Sequence, residues 1–298
     1  MTRPDSPPIV SFHHRDFAVR DLVRAKAGRT VSVCLPAHNE AATVGEVVSV
    51  LRRDLVERAP LVDEILVMDD HSTDRTAAVA DAAGARVVAA ADVLPEVAGG
   101  RGKGEALWRS LHVARGDLIV WCDADIVDFG SRFVVGLVGP LLTYPEVAFV
   151  KGFYERPLAS GDDGGGRVTE LTARPLLAAL FPHLAHIRQP LAGEYAGRRS
   201  LLERLSFVRG YGVDLGLLID VAEVAGPAAI AQADLGTRRH RNRGLAELAP
   251  QALTVLQTAL DRAGIPSAEP AILVSPGRQP LVQTFGELPP LAALVADG

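Results

Sequence analysis

The sequence predicts an α/β protein with a mostly parallel sheet and helices on both faces. Strand-like and helix-like segments alternate along the N-terminal half, which is typical of repeated strand–helix–strand units. Two predicted strands, at residues 31–35 and from Leu118 onward, are mostly or wholly apolar, as strands buried on both faces are. Each strand runs directly into polar residues. The carboxyl edge of such a sheet, where ligands of open α/β folds bind, is therefore the place to look for function.

The individual elements follow from hydrophobic periodicity, which is 2.0 in strands and 3.6 in helices. In the first half the pattern predicts a helix at 19–27, a strand at 31–35, a helix at 41–54, a strand at 64–68, a helix at 73–83, a strand at 86–89, a helix at 104–114 and a strand from 118. In the second half it predicts a strand at 147–152, a loop at 159–166, helices at 168–180 and 210–225, a strand at 230–235 and a helix at 245–263.

Composition excludes several classes of protein. A net charge of -5 and a pI near 5.9 provide no polybasic surface for nucleic acid or an anionic membrane. The two cysteines, Cys34 and Cys122, fall in predicted buried strands and form neither a disulfide framework nor a zinc cluster. No segment approaches the roughly 20 apolar residues of a membrane span. We therefore expect a soluble protein of the cytoplasm with no nucleic-acid partner.

The strand from Leu118 ends in Asp-Ala-Asp, which places Asp123 and Asp125 at the sheet edge. Two carboxylates at i and i+2 share a face and repel each other unless a cation lies between them. Oxygen ligands beside a diphosphate favour Mg²⁺, with Mn²⁺ as the other candidate, and such an ion neutralises a leaving nucleoside diphosphate. The alternative is a solvated acidic turn. The metal interpretation predicts a nucleotide-sugar-dependent glycosyltransferase.

A second acidic pair, Asp69 and Asp70, ends the strand at 64–68. A carboxylate here can accept hydrogen bonds from a ribose or from a uracil N–H, while Ser72 or Thr73 is expected to cap the following helix. The alternative is that the polar run, including Asp74, only caps that helix. Capping alone leaves Asp69 and Asp70 unexplained.

Lys103 lies between two glycines in the sequence RGKG, just before a predicted helix. Flanking glycines let the backbone approach a ligand, and the lysine can reach a diphosphate. The spacing is not that of a P-loop. An anion contact and a solvated loop both stay open for this segment.

Two further segments indicate anion binding in the second half. Glycines at 164–166 lead into Arg167, Val168 and Thr169 at a helix start, where amides, an arginine fork and a hydroxyl can hold a phosphate or carboxylate. The run RRHRNR at 238–243 concentrates positive charge around His240, whose imidazole can complete a metal shell beside Asp125. The alternatives are an ordinary glycine loop and a solvated basic face.

Taken in order, seven motifs closely resemble those of the glucosyl-3-phosphoglycerate synthases. They are PAHNE at 36–40, GKGEALWRSL at 102–111, DAD at 123–125, GGGRVTEL at 164–171, QPLAGEYA at 189–196, GYGVDLGLLID at 210–220 and HRNR at 240–243. The resemblance implies a GT-A fold, a homodimer, a divalent metal that is usually Mg²⁺, UDP-glucose as donor, D-3-phosphoglycerate as acceptor and retention of the anomeric configuration. It also implies a product that feeds the synthesis of glucosylglycerate or methylglucose polysaccharides.

The resemblance also implies roles for particular residues. The donor-binding set is Pro36, Ala37, Asn39, Glu40, Asp70, Lys103, Asp123, Ala124, Leu191, Glu194 and Tyr195. The acceptor-binding set is Gly166, Arg167, Val168, Thr169, Asn242 and Arg243. Asp125 and His240 resemble the metal ligands, while Asp214 in the sugar pocket and Asp123 are the candidate catalytic residues.

The implied organisation is a leader and helix at 1–28, a nucleotide-sugar-binding half at 29–150, an acceptor-binding half of the same domain at 151–265 and a Pro-rich tail at 266–298. With no nucleophile evident beside the DAD motif, we expect the acceptor hydroxyl to attack from the face that the diphosphate leaves, with Asp214 orienting a hydroxyl. The alternatives are a mannosyl-3-phosphoglycerate synthase using GDP-mannose, a polyprenyl-phosphate glycosyltransferase, which would need a membrane-facing helix, and a non-catalytic nucleotide-sugar-binding protein.

Overall fold

A computed structural model describes residues 9–97, 100–155, 166–238, 245–275 and 277–296 of the chain. Its strands are β1 (Val10–His13), β2 (Val31–Ala37), β3 (Glu64–Asp69), β4 (Arg86–Ala89), β5 (Leu118–Trp121), β6 (Phe149–Glu155), β7 (Tyr195–Arg198), β8 (Phe207–Val208), β9 (Ile230–Thr237), β10 (Ala271–Leu273), β11 (Leu281–Gln283) and β12 (Glu287–Leu288). Its α-helices are α1 (Val19–Lys26), α2 (Val44–Leu51), α3 (Thr76–Ala83), α4 (Lys103–Val113), α5 (Arg132–Thr143), α6 (Arg174–Leu180), α7 (Arg199–Leu202), α8 (Val213–Ala225), α9 (Leu245–Arg262) and α10 (Leu291–Ala296).

The central sheet has eight strands in the order β1-β9-β6-β7-β5-β2-β3-β4. All pairs in it are parallel except those of β7, which runs antiparallel between β5 and β6. The mostly parallel sheet that the sequence predicts is thus confirmed. The predicted boundary between the two halves, after residue 150, falls inside β6.

Helices cover both faces of the sheet, so hydrophobic core lies on each face. On one face, buried side chains of α1, α2 and α5 pack on the sheet, with Leu22, Val47 and Phe133 as examples. The other face packs against α4, α6, α8 and α9. Burial on both faces explains why β5 is a continuous apolar run and why Ser32 is the one polar residue of β2. Within the described ranges no helix is both long enough and apolar enough to cross a bilayer.

The structure contains elements that periodicity does not predict. Helix α5 is buried almost throughout, so its apolar residues show no polar face. Strands β1 and β7 are only four residues long and are defined by partners distant in sequence. Helix α3 begins at Thr76. The side chain that accepts a hydrogen bond from the Thr76 amide, at 2.9 Å, is that of Asp74. The expected cap by Ser72 or Thr73 was therefore wrong.

The C-terminal tail packs on the second face of the sheet. Strand β12 pairs antiparallel with β8, and Leu288 is fully buried in the same core as Trp108. The Trp108 indole N–H donates to the carbonyl of Pro289 at 2.7 Å, and the Arg209 amide donates to the carbonyl of Gly286 at 2.9 Å. These contacts join the tail to α4 and to the segment that precedes α8.

Candidate active site

A cavity of about 510 Å³ opens at the carboxyl ends of β2, β3 and β5. This volume lies within the range of about 300–1,000 Å³ that is typical of small-molecule sites. The cavity is lined by Pro36, Ala37, His38, Glu40, Asp70, Arg101, Gly102, Lys103, Ala106, Asp123, Ala124, Asp125 and Tyr211. Eight of these thirteen residues come from the segments that the sequence assigned to donor or metal binding, and they meet because parallel strands end at the same edge.

The two carboxylates of the DAD motif face Arg238, the residue that follows β9. The Arg238 Nη2 donates to Asp125 Oδ1 at 2.7 Å and to Asp123 Oδ2 at 3.1 Å. The same guanidinium donates through Nη1 to the Tyr154 hydroxyl at 2.7 Å. Arg238 is 5% exposed, so these charge-assisted contacts are shielded from water. Arg238 thus fixes both carboxylates relative to each other.

Lys103, the first residue of α4, bridges Asp123 and Asp214. Its Nζ lies 3.2 Å from Asp123 Oδ1 and 3.2 Å from Asp214 Oδ2. The next residue, Gly104, packs directly on the backbone of Val208, where a Cβ would lie 2.0 Å from the carbonyl oxygen. Glycine is therefore required here for α4 to approach this segment. The close packing places the lysine at the junction between the donor loop and α8.

The RGKG loop is also held from the side of β3. The Gly102 amide donates to Asp70 Oδ2 at 2.9 Å, and Asp70 Oδ1 lies 2.9 Å from Nδ1 of His71. Asp70 therefore organises the loop that carries Lys103 in addition to lining the cavity.

Opposite charges govern the ionisation of this cluster. Burial opposes the charged form of Lys103, but Asp123, Asp214 and Glu194 outweigh burial and hold the pKa of Lys103 above its ordinary value. Burial likewise opposes the charged form of Asp123, but Lys103 and Arg238 outweigh it and hold the pKa of that carboxyl below its ordinary range. Both groups are consequently ionised at neutral pH, as a site for a diphosphate and a cation requires.

The predicted sugar-pocket residues lie deeper than the cavity lining. Glu194 and Tyr195 are fully buried and Asp214 is 4% exposed. Burial raises the pKa of Glu194 in spite of Arg238, whose Nη1 lies 3.0 Å from Glu194 Oε1. Leu191 is partly buried against the same core. The structure therefore gathers Glu194, Tyr195 and Asp214 beneath the DAD motif, although they come from two separate motifs.

The donor loop after β2 is shaped by hydrogen bonds of its own. His38 Nδ1 lies 2.6 Å from the Asp70 carbonyl, and the Asn39 side-chain oxygen accepts from the Thr73 amide at 2.8 Å. Asn39 has a positive φ of 58° and does not belong to the cavity lining. Its contacts here are those of a residue that holds the loop, and its assignment to donor binding stays a prediction.

Only part of the predicted acceptor segment lies in the described residues. Gly166, with a φ of 80°, begins it, and the Glu170 amide donates to the Gly166 carbonyl at 2.9 Å. Thr169 is 5% exposed, while Arg167 and Val168 are half-buried at the start of the helical segment. The predicted residues His240, Asn242 and Arg243 and the glycines at 164–165 lie outside the described residues. The structure therefore leaves the acceptor assignment as a prediction.

The donor set at the edge of β5 fits a hard divalent cation. Asp125 has 39% of its side chain exposed and faces the cavity beside Asp123, and carboxylate oxygens are the ligands that Mg²⁺ and Mn²⁺ prefer. Among the residues that the structure describes, no three His, Cys, Asp or Glu side chains form a metal cluster. The other predicted ligand, His240, is not among those residues.

Several residues of the site were not assigned a role from the sequence, and Arg238, His38 and Tyr211 are the most informative of them. Arg238 stands in the basic run RRHRNR, so its charge was noticed but its pairing with Asp123 and Asp125 was not. His38 and Tyr211 line the cavity within motifs that were recognised, PAHNE and GYGVDLGLLID. No sequence signal gives the direction of these side chains, because it depends on contacts with distant segments.

A mostly parallel sheet that carries an Asp-Ala-Asp motif, a lysine and a nucleotide-sized cavity at one edge defines a glycosyltransferase of the GT-A fold. The family model described as glycosyl transferase family 2 matches residues 32–167. The fold and the enzyme class predicted from the sequence are thereby confirmed.

Curated relatives narrow the class. The glucosyl-3-phosphoglycerate synthase of Mycolicibacterium smegmatis is 52% identical over 259 residues, which cover 86% of this chain and 84% of the relative. That of Petrotoga mobilis is 47% identical over 85% of this chain and 80% of its own. A crystal structure of the Mycobacterium tuberculosis enzyme in complex with Mn²⁺, UDP-glucose and phosphoglyceric acid superposes with a TM-score of 0.88 at 45% identity, covering 97% of this chain and 100% of that one. The chain belongs to the glucosyl-3-phosphoglycerate synthase family.

Proposed function

We propose that this chain transfers the glucosyl group of UDP-glucose to D-3-phosphoglycerate, with retention of the anomeric configuration. The observation that carries the proposal is the match over 97% of the chain to a structure whose bound molecules are UDP-glucose, phosphoglyceric acid and Mn²⁺. The cavity at the sheet edge supports it, because its lining combines main-chain and carboxylate acceptors with a lysine. The motifs for both substrates lie on one chain.

The donor is held along the edge of β2, β3 and α4. Pro36, Ala37 and Glu40 form one wall for the nucleoside, and Asp70 supplies a carboxylate at the end of β3. Lys103 faces the diphosphate position, and its raised pKa keeps it charged there. A nucleoside diphosphate matches this wall because its sugar and base offer donors while its phosphates need a cation.

Asp125 and His240 hold a divalent cation, Mg²⁺ or Mn²⁺. When bound, such an ion supplies charge neutralisation for a departing nucleoside diphosphate. Crystal structures of the M. tuberculosis enzyme in complex with UDP contain either ion, Mg²⁺ in one and Mn²⁺ in others. Arg238 pairs with both Asp123 and Asp125, so one guanidinium orients the ion's carboxylate ligand and the carboxylate that faces Lys103.

The acceptor binds at the start of the helical segment after residue 165. Arg167 offers a planar fork for a phosphate or carboxylate, and Gly166, Thr169 and Asn242 supply neutral donors. The acidic protein thus holds an anionic acceptor by local groups and not by its net charge, which is -5.

The transfer follows a front-face route. The acceptor hydroxyl attacks the anomeric carbon on the side from which UDP departs, and its proton passes to an oxygen of the leaving phosphate. Asp214 is paired with Lys103 through Oδ2, so it serves to orient a sugar hydroxyl and not as a nucleophile. Lys103 stays beside the developing negative charge on the diphosphate. We also propose a homodimer in the cytoplasm, as the resemblance implies.

A donor-by-acceptor activity matrix tests the proposal. UDP-glucose, UDP-galactose and GDP-mannose are each combined with 3-phosphoglycerate, 2-phosphoglycerate or no acceptor, with Mg²⁺ present or replaced by EDTA, and nucleotide release is measured. We expect release only with UDP-glucose, 3-phosphoglycerate and metal together. Preference for GDP-mannose would make the chain a mannosyl transferase, and binding of UDP-glucose without turnover would make it a sugar-nucleotide-binding protein.

A further inference from the structure

Lys151, in the middle of β6, is a buried lysine that the transfer chemistry described above does not use. It is 1% exposed, although lysines are almost never fully buried unless paired. Its Nζ donates to the main-chain carbonyl of Asp214 at 3.2 Å and lies 4.1 Å from the centroid of the Tyr195 ring. A methionine at this position would fill similar space without an ammonium to desolvate. The buried charge therefore calls for a function.

The register of the sheet explains how Lys151 reaches this place. Its strand partners are Tyr195 in the antiparallel strand β7 and Gln232 in β9, so Lys151 lies in the interior of the sheet. From there the side chain extends to the first turn of α8, which carries Asp214. One long side chain thus joins the sheet to the helix that presents the sugar-pocket carboxylate.

The charges around Lys151 come from four packed elements. The pKa of Lys151 is lowered to about 8, and burial is the largest cause. Lys103 also lowers this pKa, whereas Asp214, Glu194 and Asp123 raise it. Tyr195 faces the ammonium with its ring, an attractive cation–π arrangement. The ammonium form therefore predominates at neutral pH and gives way to the amine as the pH rises through about 8.

Two lysines contact Asp214, one at a carboxylate oxygen and one at the main-chain carbonyl, and neither contacts the second carboxylate oxygen. Lys103 holds its Oδ2 and Lys151 holds its main-chain carbonyl, each at 3.2 Å. Within the described part of the chain, Asp214 Oδ1 and the Tyr195 hydroxyl are buried polar atoms that make no hydrogen bond of ordinary geometry, and the two side chains lie close enough to interact with each other. Buried polar atoms in native proteins normally have partners, so these two are suited to a polyhydroxylated ligand such as a hexosyl group.

We propose that Lys151 is a positioning residue of the sugar pocket: it fixes the first turn of α8 so that Asp214 Oδ1 receives a hydroxyl of the donor hexose. The inference rests on the proposed function, in which Lys103 faces the donor diphosphate and Asp214 orients a sugar hydroxyl. Lys151 is the second cation that holds Asp214 in place, through its main-chain carbonyl. We expect its effect to be confined to ligands that carry the hexose, because Asp214 lies outside the lining of the nucleotide cavity.

The test compares Lys151→Met with Lys26→Met. Lys26 is also a buried lysine, 9% exposed, and its Nζ donates to Asp63 at 2.7 Å and to the Pro60 carbonyl at 3.2 Å, none of which lines the cavity. The control therefore reports what the loss of any buried ammonium does. For each protein, calorimetry measures the binding of UDP and of UDP-glucose with Mg²⁺, and steady-state kinetics give kcat and KM. Wild-type turnover in the same assay tests the proposed function separately.

We expect Lys151→Met to lower kcat/KM for UDP-glucose by roughly 10- to 100-fold, as for the loss of an oriented charge-assisted contact, while the affinity for UDP stays within about twofold. Lys26→Met should leave both quantities unchanged. Equal weakening of UDP and UDP-glucose, an unchanged kcat/KM, or the same loss in Lys26→Met would overturn the proposal. Absence of any wild-type transfer to 3-phosphoglycerate would instead refute the proposed function.

A second measurement on the wild-type protein does not depend on the variant folding. The ratio of UDP-glucose affinity to UDP affinity cancels effects on the diphosphate and its cation, and it should fall as the pH rises through about 8, where Lys151 loses its proton. A ratio that is constant from neutral to alkaline pH would contradict a role for the ammonium group.

Discussion

Replacement of Arg238 by methionine should destabilise the fold by an amount that depends on pH. The guanidinium donates to Asp123, Asp125 and Tyr154 and pairs with Glu194. Only 5% of Arg238 is exposed, so this cluster is buried. Removal of one partner from a buried ionic cluster costs about 3–5 kcal/mol, because the remaining charges stay desolvated. Methionine retains much of the packing volume, so the loss reports mainly the charge.

The pH dependence follows from Glu194, which is fully buried. Burial already raises its pKa above the ordinary value of 4.5, and Arg238 is the main group that opposes the rise. Without Arg238 the folded-state pKa rises further, so the folded protein binds the proton more tightly than the unfolded chain does. Stability then falls as the pH rises from about 4.5 through the raised pKa. Each unit of additional shift contributes about 1.4 kcal/mol to the deficit at neutral pH.

Urea titrations in metal-free buffer between pH 5 and 8, followed by the fluorescence of the buried Trp108 and Trp121, measure this deficit. The matched control is Arg198→Met. The Arg198 guanidinium is partly buried and donates to the carbonyls of Leu141, Pro145 and Val147, so its loss strands no carboxylate. A deficit that stays constant across the pH range, or one that changes equally in the control, would refute the argument that Glu194 and its neighbours require Arg238.

Three further outcomes are expected from the same site. Asp125→Ala should abolish metal-dependent UDP release and lower thermal stability much less than Arg238→Met does, because the side chain is 39% exposed and Arg238 keeps Asp123 and Glu194 as partners; undiminished turnover with saturating Mg²⁺ would remove Asp125 from the metal site. Arg167→Ala should raise the KM for 3-phosphoglycerate by roughly 30-fold or more with UDP binding unchanged in calorimetry, and Arg167→Lys should recover little; equal effects on donor and acceptor would contradict an acceptor role. Gly193→Ala should lower kcat while the protein stays folded, since the new Cβ would lie 2.3 Å from Asp123 Oδ2 and displace that carboxylate. Activity equal to wild type would show that the position of the Asp123 carboxylate is not critical.

The sequence was sufficient where local pattern determines structure. Strands β2, β3 and β5 were predicted because burial on both faces leaves predominantly apolar runs. Helix α5 was not, because a helix buried all round, with Pro140 inside it, has no polar stripe to reveal its period. Strand β1 is four residues long and pairs with β9, more than two hundred positions away. Such an edge is decided by tertiary contacts that no local window contains.

The same division applies to the site. Asp70, Asp123 and Asp125 were identified because a carboxylate that ends a buried strand has few structural reasons to be there. Lys151 carried a comparable signal, a lysine within the apolar run FVKGF, which was not used. Arg238 was not assigned, because its contact with Asp125 spans 113 positions. The direction of the Arg238 side chain depends on the position of β9 in the strand order of the sheet.

The position of β7 has a consequence for protein engineering. This strand belongs to the second half of the chain, yet it lies between β5 and β6, and a cut after residue 150 would divide β6 between Val150 and Lys151. Recombination of halves from different relatives at that point would pair β5 of one parent with β7 of the other and would split the strand that supports α8. Chimeras with altered acceptor preference are better made by exchanging residues 156–173, between β6 and α6, which leaves the sheet of one parent intact.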